Sequence, residues 1–317
     1  MTTLRTCVWI SFAWPRYSGI GCGPPCRNYP AHVTATPPRT ITLPHGVVSV
    51  AEYGDPAGTP VLYCHGLPGS HVEAVAFDDA AAAVELRVIA IDRPGIGASS
   101  FAARRRVFEW ADTVAVVADR FELDQFAVLG VSGGGPYALA CACRLPDRVT
   151  DVVVVSSPAP RVREVKGGKW SSGLEVLRRF PFLARPIAAR MAAAVRKPGG
   201  LAALIAKVAP ADRSRLADDR ELLAKIEANI STAFTQGGRG VAVDLQMLFA
   251  RPWGFDLTDI AVPVTVWHGG VDGNVPVKDA RRLADDLPIC EVVVVEGAGH
   301  LLFVDHAAAI LNSIRTR

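Results

Sequence analysis

Gly130-Val131-Ser132-Gly133-Gly134 stands between two segments of opposite character. Ahead of it, Gln125-Phe126-Ala127-Val128-Leu129 is apolar and reads as a buried strand; behind it, Pro136-Tyr137-Ala138-Leu139-Ala140-Cys141-Ala142 reads as the start of a helix. A G-x-S-x-G sequence in that setting makes a turn so tight that its flanking glycines are needed to avoid clashes. Such an elbow lifts the serine hydroxyl out of the sheet. It also leaves the Gly133 N–H near a helix N-terminus, facing a developing oxyanion. Three fixed positions in five arise by chance in many chains, so the flanking strand and helix carry the weight.

Two further strand ends supply partners, in the chain order that an elbow serine predicts. Val262-Pro263-Val264-Thr265-Val266-Trp267 runs into His268-Gly269-Gly270-Val271-Asp272-Gly273-Asn274, where glycines let Asp272 turn back toward the sheet edge. The apolar run at residues 289–295 is followed by Glu296-Gly297-Ala298-Gly299-His300. A serine hydroxyl is a poor nucleophile until an imidazole takes its proton, and the imidazole needs a carboxylate on its other nitrogen. The expected roles are Ser132 as nucleophile, His300 as general base and acid, and Asp272 as orienting carboxylate. His306, after Asp305 on the next helix, reads as an ordinary surface residue, and His268 as structural. Asp244 and Asp256 stay open as substitutes for Asp272.

Acyl chemistry needs a second backbone donor, and it is expected from the loop after the strand-like Pro60-Val61-Leu62-Tyr63-Cys64. That loop reads His65-Gly66-Leu67-Pro68-Gly69-Ser70. Pro68 has no N–H, which leaves the Leu67 amide as the candidate beside that of Gly133. The alternative is a plain tight turn.

On these motifs the chain resembles the α/β-hydrolase superfamily, in the branch whose oxyanion loop reads H-G-x-P-G. The resemblance rests on His65 to Gly69, Asp92-Arg93-Pro94-Gly95-Ile96-Gly97-Ala98-Ser99, Gly130 to Gly134, His268 to Pro276, and Gly299-His300, and it covers roughly Thr40 to the C-terminus. It implies an α/β fold with a mostly parallel sheet flanked by helices, and a helical cap inserted after the sixth strand. It also implies that Asp92 and Arg93 brace the elbow rather than react. Epoxide hydrolases and haloalkane dehalogenases resemble it less, since they place aspartate at the elbow. Proline iminopeptidases read G-G-S-W-G there.

Composition bounds the rest. The chain has 317 residues, half of them hydrophobic and 21% charged, with net charge +3. That fits one α/β domain with an insertion, and gives no ground for a nucleic-acid partner. No apolar stretch reaches the ~20 residues of a membrane span. Arg104-Arg105-Arg106 reads as a solvated loop end. Residues 1–38, with Cys7, Cys22, Cys26 and many prolines and glycines, read as an extension without fixed structure, too broken by Pro15 for a signal peptide. Cys22 and Cys26 lack a second pair at metal-site spacing, so no metal and no cofactor are expected. Cys64, Cys141, Cys143 and Cys290 read as small buried hydrophobes, which points to a cytoplasmic location.

Unbroken apolar runs at residues 86–91, 125–130, 149–155, 262–267 and 289–295 predict strands buried on both faces. Helical spacing falls between them, at residues 107–121, 138–144, 277–287 and 307–314, which makes the class α/β. Residues 39–43 and 47–53 read as an opening hairpin. The expected division is a core of residues 39–157 and 257–317 and a helical cap of residues 158–256, cut into short helices by Pro181, Pro186, Pro198 and Pro210. By resemblance, Met247, Leu248, Phe249 and Trp253 are candidate pocket walls. The expected activity is serine-dependent cleavage of an ester or related acyl compound, on an apolar or acyl-bearing small-molecule substrate. Two alternatives stay open: carbon–carbon bond hydrolysis of a β-diketone-like product, and a binding protein on the same fold.

Overall fold

The computed structural model describes residues 6–12, 37–160, 176–197, 199–201 and 210–315. Among the described residues nine strands form one sheet: β1 Thr6–Phe12, β2 Arg39–Leu43, β3 Gly46–Gly54, β4 Thr59–Cys64, β5 Leu86–Ile91, β6 Phe126–Val131, β7 Val149–Val155, β8 Val264–Gly269 and β9 Ile289–Val295. Their spatial order is β1-β9-β8-β7-β6-β4-β5-β3-β2. Only β3 runs antiparallel to its neighbours β2 and β5; the other pairings are parallel. Every residue of β6 and β8 is buried, as unbroken apolar runs require when helices cover both faces.

The two faces carry separate cores. On one, Val128, Val152, Val154, Val266 and Val292 pack against helices α2 (Trp110–Arg120), α3 (Gly135–Arg144) and α8 (Lys278–Asp286). On the other, Leu129, Val153, Val155, Trp267 and Val293 meet α1 (Asp78–Ala83) and α10 (Ala307–Asn312). In α2 the buried residues Trp110, Ala111, Val114, Val117 and Ala118 recur at helical spacing along one stripe. The α/β alternation read from the sequence is therefore the observed one, with strand bounds shifted by a residue or two.

Between β7 and β8 the chain leaves the sheet. Its described helices there are α4 Ala184–Val195, α5 Pro210–Asp218, α6 Arg220–Ala233 and α7 Arg239–Phe249. Pro210 opens a helix as expected, but Pro186 sits inside the first turn of α4, where its missing N–H has no partner to lose. Pro198 lies outside the described residues.

One expectation for residues 1–38 does not hold. Thr6–Phe12 pairs in parallel with β9 over its whole length, Thr6 opposite Ile289 and Phe12 opposite Val295. Without it, β9 would present an open edge of unpaired peptide groups, and a run rich in β-formers such as T-C-V-W-I-S-F suits that edge. Cys22, Cys26 and the remainder of 13–36 lie outside the described residues.

Candidate active site

Because β4, β6, β7, β8 and β9 are parallel, their carboxyl ends open on one edge of the sheet, where loops of such folds gather ligands. His65 follows β4, Ser132 follows β6, Asp272 follows β8 and His300 follows β9. Strand order, not sequence distance, brings them together.

At the elbow, Ser132 has φ +51°, the left-handed region that costs a non-glycine residue about 1–2 kcal/mol. The turn is that tight because β6 passes directly into Ser132–Gly134 and then α3. A side chain at Gly134 would collide with the Cys64 carbonyl of β4, so glycine alone lets α3 start this close to the sheet.

The serine hydroxyl lies 3.0 Å from His300 Nε2, and His300 Nδ1 lies 2.8 Å from Asp272 Oδ2. Asp272 is fixed in turn: its Oδ1 accepts the Asn274 and Val275 amides at 2.8 and 2.9 Å. Burial alone would lower the His300 pKa. The facing Asp272 carboxylate outweighs that, with Asp212 and Glu73 adding, so it stands above the usual histidine value. Burial would likewise raise the Asp272 pKa, but the His300 charge and hydrogen bond hold it below the usual carboxylate range. An imidazole so placed can take a proton from Ser132 and keep the resulting charge beside a carboxylate.

Leu67 comes up against the elbow from the other side. A Cβ built on Gly133 would lie 2.8 Å from Leu67 Cβ and 3.3 Å from Leu67 N, so the two amides are close neighbours beside Ser132. The loop that carries Leu67 is gripped from two directions. Arg93, one of the largest fully buried side chains, donates to the His65 carbonyl at 2.5 Å and the Gly66 carbonyl at 2.7 Å. Glu73 Oε2 accepts the Gly66 N–H at 2.6 Å and the Tyr63 hydroxyl at 2.8 Å. His65 takes the Arg93 N–H on Nε2 at 3.2 Å, so its ring proton sits on Nδ1, 2.9 Å from the Gly66 carbonyl. Burial, with the Arg93 charge, pushes its pKa well down and keeps it neutral. Glu73 had no signature in the sequence, since a single glutamate in a short turn looks like any other.

Asp92 and Arg93 brace this region, as the resemblance implied. Asp92 accepts the His71 amide at 2.6 Å and its ring at 2.7 Å. Asp244 is bonded elsewhere than at His300. It is fully buried and bound to Arg93 Nε at 2.8 Å, Arg105 at 2.5 Å and the Tyr137 hydroxyl at 2.9 Å. That corrects the reading of Arg105 as solvated: two guanidinium groups are the local answer to one carboxylate without water. Among the described residues the His300 ring bonds Asp272 and Ser132, and Asp256 takes no part. His268 is buried and structural, with Nε2 2.9 Å from the Val275 carbonyl. His306 caps α10.

A cavity of about 190 Å3 opens onto Ser132 and His300, walled by Leu67, Pro68, Met191, Val241, Leu245 and Phe249 among others. Of the four candidate pocket walls, Phe249 lines it. Met247, Leu248 and Trp253 do not: they are buried in the core shared with the sheet, and the Trp253 indole donates to the Leu248 carbonyl at 3.2 Å. Val243 and Met247 face away from the stripe of Val241, Leu245 and Phe249 on α7, whereas Leu248 falls near that stripe, its Cδ1 3.2 Å from a Cβ built on Gly133. Asn274 adds a polar side chain to the wall. Among the described residues no group of three or more His, Cys, Asp or Glu side chains could hold a metal ion, and no helix is long and apolar enough to cross a membrane.

The family described as alpha/beta hydrolase fold matches residues 59–307 of this chain. The chain is 28% identical over 268 residues to the dihydrolipoyllysine-residue acetyltransferase component of an acetoin cleaving system from Pseudomonas putida, covering 82% of this chain and 63% of that relative. It is 27% identical over 191 residues to a pimeloyl-acyl-carrier-protein methyl ester esterase of Aliivibrio salmonicida (strain LFI1238), covering 60% and 67%. Among solved structures, an alpha/beta hydrolase fold protein from Nakamurella multipartita superposes with TM-score 0.60 at 25% identity, over 86% of this chain and 98% of that one.

Proposed function

We propose that this chain, which belongs to the alpha/beta hydrolase fold family, is a serine hydrolase that cleaves an ester or related acyl compound through an acyl-enzyme. The observation that carries the reading is the unbroken hydrogen-bond chain Ser132–His300–Asp272, at 3.0 and 2.8 Å. His300 takes the Ser132 proton as the oxygen attacks the carbonyl carbon, and Asp272 stabilises the imidazolium. The Leu67 and Gly133 amides receive the oxyanion; losing one such donor costs about 10²–10³-fold in turnover. His300 then protonates the departing alcohol, and water, activated by the same imidazole, releases the acid.

Residues 158–256 act as a cap in this reading, with Met191, Val241, Leu245 and Phe249 excluding water from the cavity. An apolar space of about 190 Å3 suits a short acyl group better than a long chain. The esterase relative, whose name specifies a methyl ester, supports ester over amide chemistry.

The test is a panel of p-nitrophenyl esters of rising acyl length, run beside β-diketones, on the wild type and Ser132→Ala. Turnover of short esters that vanishes in Ser132→Ala is the expected result. Diketone cleavage without ester turnover would move the assignment to carbon–carbon hydrolysis.

A further inference from the structure

We propose that Asp212, on the inserted helix α5, is a positioning residue for His300, holding the backbone of the loop that carries it. Asp212 is 3% exposed, and its two oxygens are both spent on that loop. Oδ2 accepts the His300 N–H at 3.0 Å and Oδ1 accepts the Leu301 N–H at 2.9 Å. These two amides precede α9 (Leu302–Asp305) and have no helical carbonyl to bond. The fit is close: any side chain at Gly299 would run into the Asp212 carboxylate. The same helix is also pinned to the residues that follow His300. Arg215 pairs with Asp305 at 2.9 Å, and Leu216 packs in a cluster that includes Leu301 and Val304.

The consequence concerns where the imidazole sits. His300 Nε2 must stay within hydrogen-bond reach of Ser132, and a displacement of about 1 Å can cost 10²-fold in rate. Its ring is set on one side by Asp272; its backbone is set by a carboxylate 88 residues away, outside the sheet. Asp212 also adds to the field that favours the imidazolium. The charged and titratable groups facing His300 among the described residues are Asp272 and His268 from the β8 end, Glu73 from the turn His71–Phe77, and Asp212 from α5. The insertion therefore does more than roof the cavity: it sets the position of the base, and its docking is a condition of activity.

This inference rests on the triad reading, and the experiment separates the two. Wild type, Asp212→Asn, Asp212→Ala and His300→Ala are compared on p-nitrophenyl butyrate between about pH 5 and 9, with thermal melting of each. Asparagine keeps one acceptor and removes the charge. It is expected to lower kcat about tenfold at unchanged KM, and to move the acid limb of kcat/KM to lower pH. Alanine is expected to lose about 10²-fold in kcat. If the alanine variant does not fold, the asparagine variant decides alone. An unchanged kcat or an unmoved acid limb in Asp212→Asn, with His300→Ala inactive, overturns the inference and leaves the triad standing. Full activity in His300→Ala removes the triad reading, and this inference with it.

Discussion

At the carboxyl edge of the sheet, Ser132, His300 and Asp272 bond to one another side chain to side chain. In the insertion, three buried polar residues reach the loops around them differently. Asp212 takes the amides of His300 and Leu301, Asn229 takes the Ser70 amide at 2.7 Å, and Asp244 takes the Arg93 guanidinium that holds His65 and Gly66. The sheet edge carries the hydrogen-bonded side chains; the insertion holds the backbone of the His300 loop and of the His65–Ser70 loop beside them. The difference has a physical basis. A sheet edge is rigid only where strands are hydrogen-bonded, and each catalytic loop begins where pairing stops. Buried acceptors on a docked helix supply the missing order, and their own desolvation is met by the amides and cations they bind.

The sharpest way to break this comparison is at the edge. Asp272→Asn is expected to lower kcat by about 10³–10⁴-fold, with the melting temperature little changed, because the imidazole loses its tautomer and its counter-charge. The acid limb supplies the sign. His300 must be neutral to act, and its pKa is raised, so wild-type kcat/KM falls as pH drops through a midpoint above the ordinary histidine value. In Asp272→Asn that midpoint falls. A variant with near-wild-type turnover would put the acid elsewhere.

Changes at the core arginines that anchor Asp244 of the insertion are expected to register as stability first. Arg93→Met leaves Asp244 buried against one cation fewer and should cost about 3–5 kcal/mol, measured by denaturant unfolding. Arg105→Met should cost less, about 1–2 kcal/mol, because Arg93 and Tyr137 still hold the carboxylate. The reverse order would mean that Arg105, not Arg93, neutralises Asp244.

How much of this was legible in the sequence follows the same divide. The elbow, the aspartate loop and the histidine loop each directly follow an apolar strand, so local pattern marked them: all three predicted side chains meet in one hydrogen-bonded line. Leu67, expected from the loop after β4, lies beside Gly133 of the elbow. The insertion was not legible in that way. Asp212 lies in a polar helical run where an aspartate looks solvated, and only the docking of α5 buries it. Of the consecutive Met247, Leu248 and Phe249, Phe249 lines the cavity, and which of three neighbours about 100° apart on a helix does so depends on how α7 docks. The strand at Thr6–Phe12 was hidden by the prolines and glycines that follow it.

The most direct measurement is the site of covalent labelling by a fluorophosphonate, mapped by peptide mass spectrometry on the folded full-length chain with Ser132→Ala beside it. A single adduct on Ser132, absent from the variant, is the predicted result, since only a serine with an activating imidazole attacks the phosphorus readily. An unlabelled folded protein, or an adduct on any other serine, would contradict the assignment of Ser132 as the nucleophile.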